Sequence, residues 1–122
     1  MSSAPYRQIE TEQHGDVYCL GLRDPRLRFT ELDELITELD RFVTESQCRK
    51  LVFLLGPEEP QCLYSLFLAK LVSLQRRLQA NGGALKLAGA SENVEQVFEA
   101  CKLRSFFDFL PDRDAAIAAL AS

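Results

Sequence analysis

The chain has one histidine, His14, and its four cysteines, Cys19, Cys48, Cys62 and Cys101, form no Cys-x-x-Cys pair. That scarcity disfavours a zinc site, and no metal or cofactor is expected. Each cysteine lies in or beside an apolar run, so all four read as small buried hydrophobes of a reducing compartment. There is no Gly-x-Ser-x-Gly elbow and no histidine beside a candidate nucleophile, which argues against an enzyme. A phosphate-cradling loop is missing too, because Gly82-Gly83 closes a predicted helix instead of joining a strand to a helix start. No apolar run approaches the roughly 20 residues that span a bilayer, and Met1 to Pro5 shows neither a charged leader nor an apolar core. A cytoplasmic location is expected, with no membrane association and a flexible segment at residues 1–5. Positive charge is not in surplus: 14 Lys and Arg stand against 18 Asp and Glu, a net charge of −4. Direct nucleic-acid binding is therefore not expected, and the strip Lys70, Arg76, Arg77 reads as a solvated helix face.

What is present is enough apolar content for one core. The 122 residues are 47% hydrophobic and 26% charged, as expected of one globular domain spanning residues 1–122. Two runs, 6–13 and 16–22, flank His14-Gly15 and predict a hairpin turning there. The second run is apolar on both faces, which places it inside a sheet. Residues 23–28 form a basic connector. Thr30, with Asp33 in a box-like spacing, is the expected cap of a helix whose Leu32, Leu35, Ile36, Leu39, Phe42 and Val43 follow one buried face and which ends near Ser46. Leu51 to Leu55 is continuous apolar sequence between Arg49-Lys50 and Gly56-Pro57, as in a central strand. After a second helix and the Gly82-Gly83 stop, Ala84 to Ala88 predicts another strand, and Ser91 caps a helix with Val94, Val97, Phe98 and Cys101 on one face. Phe106 to Leu110 predicts a short last strand, and Pro111-Asp112 opens a terminal helix. The alternation implies a mixed α/β sheet with helices packed on it.

The second helix is the most informative element. At about 100° per residue, Leu63, Phe67, Leu71, Leu74 and Leu78 fall on one face, and Ser65, Ala69, Ser73 and Arg76 on the other. Leu66, Leu68 and Val72 widen the apolar sector beyond what a core needs, which points to a protein contact. Ser65 lies in the first turn, where it is either an ordinary helix-start residue or a regulated one. The loop before it brings Glu58 and Glu59 to the helix start, where negative charge is tolerated; adjacent loop acids of this kind are usually solvated.

The stretch Leu71-Val72-Ser73-Leu74-Gln75-Arg76-Arg77-Leu78, the Asn81-Gly82-Gly83 stop, Ala84-Leu85-Lys86-Leu87-Ala88-Gly89, Ser91-Glu92-Asn93-Val94 and Leu103-Arg104-Ser105-Phe106-Phe107 resemble the STAS domain, in particular the anti-sigma factor antagonists. The resemblance implies a STAS-like mixed sheet of four to five strands with about four helices. In that family the signature helix opens with Asp-Ser-Ser/Thr-Gly-Leu-Gly, and its first serine is phosphorylated by a partner kinase. Counting back from Gly82-Gly83 puts Ser65 at that serine. Tyr64 then replaces the aspartate, Leu66 the second hydroxyl residue, and Phe67 and Ala69 the glycines, leaving Ser65 and Leu68 as matches. An alignment anchored on Leu51 to Leu55 would put Leu63 at the serine instead.

The resemblance implies a transcription-regulating signalling protein that binds an anti-sigma factor or serine kinase and so controls sigma-factor release. Its contact surface would be Glu58, Glu59, Tyr64, Ser65, Leu66, Leu68, Ala69, Val72 and Arg76, with Ser65 as the phosphorylation candidate. A second reading is a phosphorylation-independent scaffold that forms a homodimer or pairs with another STAS protein through Leu66, Leu68 and Val72. A third is a small enzyme or ligand sensor with a pocket between the hairpin and the serine helix.

Overall fold

Residues 6–121 are described by a computed structural model of the chain, and the flexible segment expected at residues 1–5 lies outside the described residues. Two short segments of alternating character begin it, β1 (Ile9–His14) and β2 (Val17–Leu22), antiparallel with Ile9 opposite Leu22 and His14 opposite Val17. The turn is Gly15-Asp16, one residue later than the sequence predicts. Glycine stands first of the two loop residues with φ +63, the position at which a right-twisted hairpin needs positive φ, and His14 is thereby released into the strand.

The next three strands are parallel. The apolar run becomes β3 (Lys50–Leu54), the run after Gly82-Gly83 becomes β4 (Ala84–Ala88), and β5 is only Phe109–Leu110. Spatial order is β1-β2-β3-β4-β5, so β2 is interior as expected and β3 is central. The predicted strand from Phe106 shrinks to two residues because Arg104–Phe106 coils into a 3-10 turn.

Four helices join and cover the sheet: α1 (Leu32–Ser46), α2 (Ser65–Ala80), α3 (Glu92–Ala100) and α4 (Arg113–Leu120). The entry to α1 differs from the expected Thr30 cap. A 3-10 turn, Phe29–Glu31, precedes the helix, and the Glu31 carboxylate accepts the Arg28 backbone N–H at 3.0 Å. Longer acidic side chains reach back in this way where the hydroxyl of Thr30 does not. Ser91 and Asp112 cap α3 and α4, accepting from the Val94 and Ala115 amides.

Strand alternation divides the apolar residues between two faces. Ile9, Leu20, Leu51, Phe53, Leu85 and Leu87 join the main core with α1, α2 and α3 residues such as Leu35, Leu39, Phe67, Leu71, Leu74 and Phe98. Val17, Cys19, Val52 and Ala88 face the other way and are covered by Ala116 and Leu120 of α4. Cys19, Cys48 and Cys62 are buried as expected, but Cys101 is exposed, because α3 has already ended at Ala100 and Cys101 turns away with the chain.

Candidate functional site

The start of α2 rests on a loop that is fixed from below. Cys62 is fully buried, Pro60 is buried, and the Gln61 amide donates to the Pro25 carbonyl at 2.7 Å, tying the loop to the connector after β2. Burial in apolar surroundings pushes the Cys62 thiol up to about 11, so it behaves as a small hydrophobe. The connector in turn presents Phe29 beside Tyr64, their rings edge to face with centroids 5.0 Å apart.

Ser65 is exposed and is the first residue of α2. Tyr64 before it is extended and supplies no side-chain cap, and the first helical bond runs from the Leu68 amide to the Tyr64 carbonyl at 3.0 Å. The amides of the first turn are therefore uncapped by side chains, and no acid stands in that turn. Such an end favours negative charge.

The flanks of α2 are set by its neighbours. On one side Lys70 pairs with Asp40 of α1 at 2.7 Å and Arg77 donates to the Thr44 hydroxyl at 2.8 Å. On the other, Gln75 accepts from Leu85 of β4 and Arg76 lies 6.0 Å from the Phe106 ring. Leu68 belongs to this second flank; it is 3% exposed and packs in the main core. The sequence places it on a contact surface, but the apolar flank that seemed surplus is consumed by the protein's own interior. Val72 is half-buried against the same core. Self-association through Leu66, Leu68 and Val72 thus loses its central residue.

What stays outside is a compact apolar patch. Phe29 (61% exposed), Tyr64 (41%) and Leu66 (50%) are the exposed large hydrophobic side chains among the described residues, and all stand at the Ser65 end of α2. Phe29 was missed by sequence reasoning. Its aromatic character immediately before a helix was the available signal, but only the fold brings it to Tyr64. Ala69, one turn on, is exposed with them. Arg76 is also exposed but lies eleven residues along the helix, about 16 Å from Ser65, so the structure does not gather it into the patch.

Glu58 and Glu59 are exposed. Glu59 does not serve the α2 start: its carboxylate accepts the Ser91 hydroxyl at 2.5 Å, at the cap of α3. Between that loop and α3 runs an open groove of about 250 Å³ bordered by Glu59, Tyr64 and Val97. A concavity of about 310 Å³ does lie between the hairpin and the loop, with Glu10, Arg23 and Glu58 as its charged side chains. Its walls bring no thiol or imidazole to those acids.

Comparison with solved structures matches this arrangement of strands and helices over nearly the whole chain. An anti-sigma-factor antagonist (STAS) domain protein from Planctomyces limnophilus superposes with a TM-score of 0.77 at 20% identity, covering 93% of this chain and 98% of that one. The chain has the STAS-domain fold. The anti-sigma factor antagonist SpoIIAA in its unphosphorylated form matches the same STAS fold with a TM-score of 0.71 at 14% identity, covering 93% of this chain and 97% of its own. The phosphorylated form of SpoIIAA, a Bacillus cell fate determinant, gives 0.66 at 14% identity, over 91% and 97% of the two chains. No family model matches the sequence, and no curated protein sequence matches it significantly.

Proposed function

We propose that this chain is a cytoplasmic protein-binding regulator of the anti-sigma factor antagonist kind, a single STAS-type domain without catalytic activity. It docks an anti-sigma factor, expected to be a serine kinase, through the start of α2, and so controls sigma-factor release. The carrying observation is the grouping of Phe29, Tyr64 and Leu66, exposed large apolar side chains, around an exposed Ser65. Scattered single hydrophobes on a surface mean little, whereas three gathered at one helix end, two of them in ring contact, mark a contact region.

Ser65 is the phosphorylation candidate. Support comes from its place as the first residue of a helix without acids in its first turn and from the likeness to a protein solved in both phosphorylation states. A phosphate adds about −1.5 to −2 charges. The α2 amides accommodate that charge, but an apolar partner seated on Tyr64 and Leu66 rejects it, so modification expels the partner and leaves the fold intact. No helix among the described residues is long and apolar enough to cross a membrane.

The test is a pull-down from the source lysate with wild-type, Ser65→Asp and Leu66→Glu baits, followed by calorimetry with the captured partner. A kinase-like anti-sigma factor should be retained by wild type, lost on Leu66→Glu and weakened at least about tenfold on Ser65→Asp. Equal capture by wild type and Ser65→Asp, with loss on Leu66→Glu, would make the protein a phosphorylation-independent binder. Capture indifferent to Leu66→Glu would remove the patch from the interface.

A further inference from the structure

The hairpin brings together three side chains that the sequence keeps apart in kind. Glu12 of β1 pairs directly with Cys19 of β2, and His14 lies two residues further along the same strand. All three therefore project from one face of the sheet. A carboxylate oxygen of Glu12, a ring nitrogen of His14 and Cys19 Sγ all lie within 4.8 Å of one another. The turn at Gly15-Asp16, one residue later than expected, is what puts His14 in the strand and on this face.

His14 Nε2 is itself buried and makes no hydrogen bond, although Glu12 Oε1 stands 3.2 Å away. The two atoms stand at ion-pair distance, and the contact with His14 draws the Glu12 carboxyl below its ordinary range, but the ring nitrogen is shut off from water. Their separation suits two ligands of one ion. Tetrahedral zinc, with bonds of about 2.0–2.3 Å, keeps its donor atoms roughly 3.3–3.7 Å apart. A rotamer adjustment of about 1 Å would close the widest separation.

We propose that Glu12, His14 and Cys19 form a binding site for a single borderline-soft divalent cation of the zinc class. One oxygen, one imidazole nitrogen and one sulfur match that ion's ligand preferences. Glu12 and His14 are partly exposed, leaving the fourth position to water. The Cys19 thiol is held protonated by burial, so forming the sulfur–metal bond releases its proton to solvent. Arg113 of α4 is the built-in competitor: its Nη1 pairs with Glu12 Oε1 at 2.8 Å and must withdraw, its guanidinium turning to solvent or to Asp114, which already lies 3.7 Å from its Nε.

Cobalt(II) added to the full chain reports the site through the near-ultraviolet thiolate-to-cobalt absorption, and zinc competition gives the affinity. One cobalt per chain is expected, displaced by zinc. The band should vanish in Cys19→Ala, persist in Cys101→Ser, and need at least tenfold more metal in His14→Gln. Arg113→Gln should bind several-fold more tightly, an outcome that a site elsewhere would not produce. Absence of the band, its loss in Cys101→Ser, or indifference to both His14→Gln and Arg113→Gln would overturn the site. The last two variants sit at the surface and decide the matter if Cys19→Ala fails to fold.

Discussion

The side chain of Gln75 takes the place of a missing strand residue for Leu85: its Oε1 accepts the Leu85 backbone N–H at 2.8 Å in the buried interior. Along β4 the amides of Leu87 and Gly89 point to the β5 side and donate to the Asp108 and Leu110 carbonyls. The Leu85 amide points the same way, but β5 is too short to reach it. Gln75→Met should therefore leave a buried donor unpaired and cost about 1–3 kcal/mol. Urea melts of the two proteins would check this, and a cost under about 0.5 kcal/mol would mean that water or a shift of α2 satisfies Leu85.

The two glycines that end α2 are unequal. A β-carbon on Gly83 would stand 1.8 Å from the Arg49 carbonyl oxygen, which already accepts the Ala84 amide, whereas one on Gly82 would meet open space. Gly82 has φ +83, so Gly82→Ala is expected to cost about 1 kcal/mol from left-handed strain alone. Gly83→Ala must push β3 and β4 apart and should cost at least about 3 kcal/mol. Parallel denaturant titrations decide it, and equal losses would contradict the close approach.

Those glycines also show why parts of the fold could be read from the sequence. The run Ala84 to Ala88 between a glycine stop and Gly89, and the uninterrupted Leu51 to Leu55, have few alternatives to buried strands, and the heptad-like spacing from Phe67 to Leu78 set the inner face of α2. Leu68 misled because periodicity gives a direction and not a depth. The flank of α2 that faces β4 and Phe106 sinks far enough to bury it. Phe29 and Tyr64, 35 residues apart in the chain, became neighbours only when the loop after β3 bonded to Pro25, a backbone contact with no side-chain signature. Glu12, His14 and Cys19 are not legible together from the sequence, since a turn at His14-Gly15 leaves His14 in the loop and sets Glu12 opposite Val17 instead of Cys19.

Three buried thiols make stability fall at alkaline pH. Burial raises Cys19, Cys48 and Cys62 above their ordinary value of 9.0, Cys62 to about 11. A raised thiol is neutral in both folded and unfolded chains below pH 9, so its contribution is fully present there. Above pH 9 the unfolded chain loses protons that the folded chain keeps, and stability declines as pH climbs toward 11. Cys62 alone should account for about 2–3 kcal/mol over that range. Unfolding free energies at pH 7.5, 9 and 10.5 would check the slope, and Cys62→Ala should make it shallower even though that variant is less stable throughout.

Charge at position 65 should separate the fold from its partner surface. The first turn of α2 has amides without side-chain caps and no acid, so Ser65→Asp is expected to stabilise the isolated protein by about 0.3–1 kcal/mol. Ser65→Lys should destabilise it by a similar amount. For a chain of this size that amounts to roughly 1–4 °C in either direction. Because the interaction is between an exposed charge and a helix end, 1 M salt should shrink both shifts. If Ser65→Asp instead lowered the melting temperature at low salt, a negative charge there would strain the fold, and loss of partner binding by that variant would no longer report on the interface. With the expected signs, any weakening of a complex by Ser65→Asp is assigned to repulsion between the charge and the partner seated on Tyr64 and Leu66, since the domain beneath is at least as stable as before.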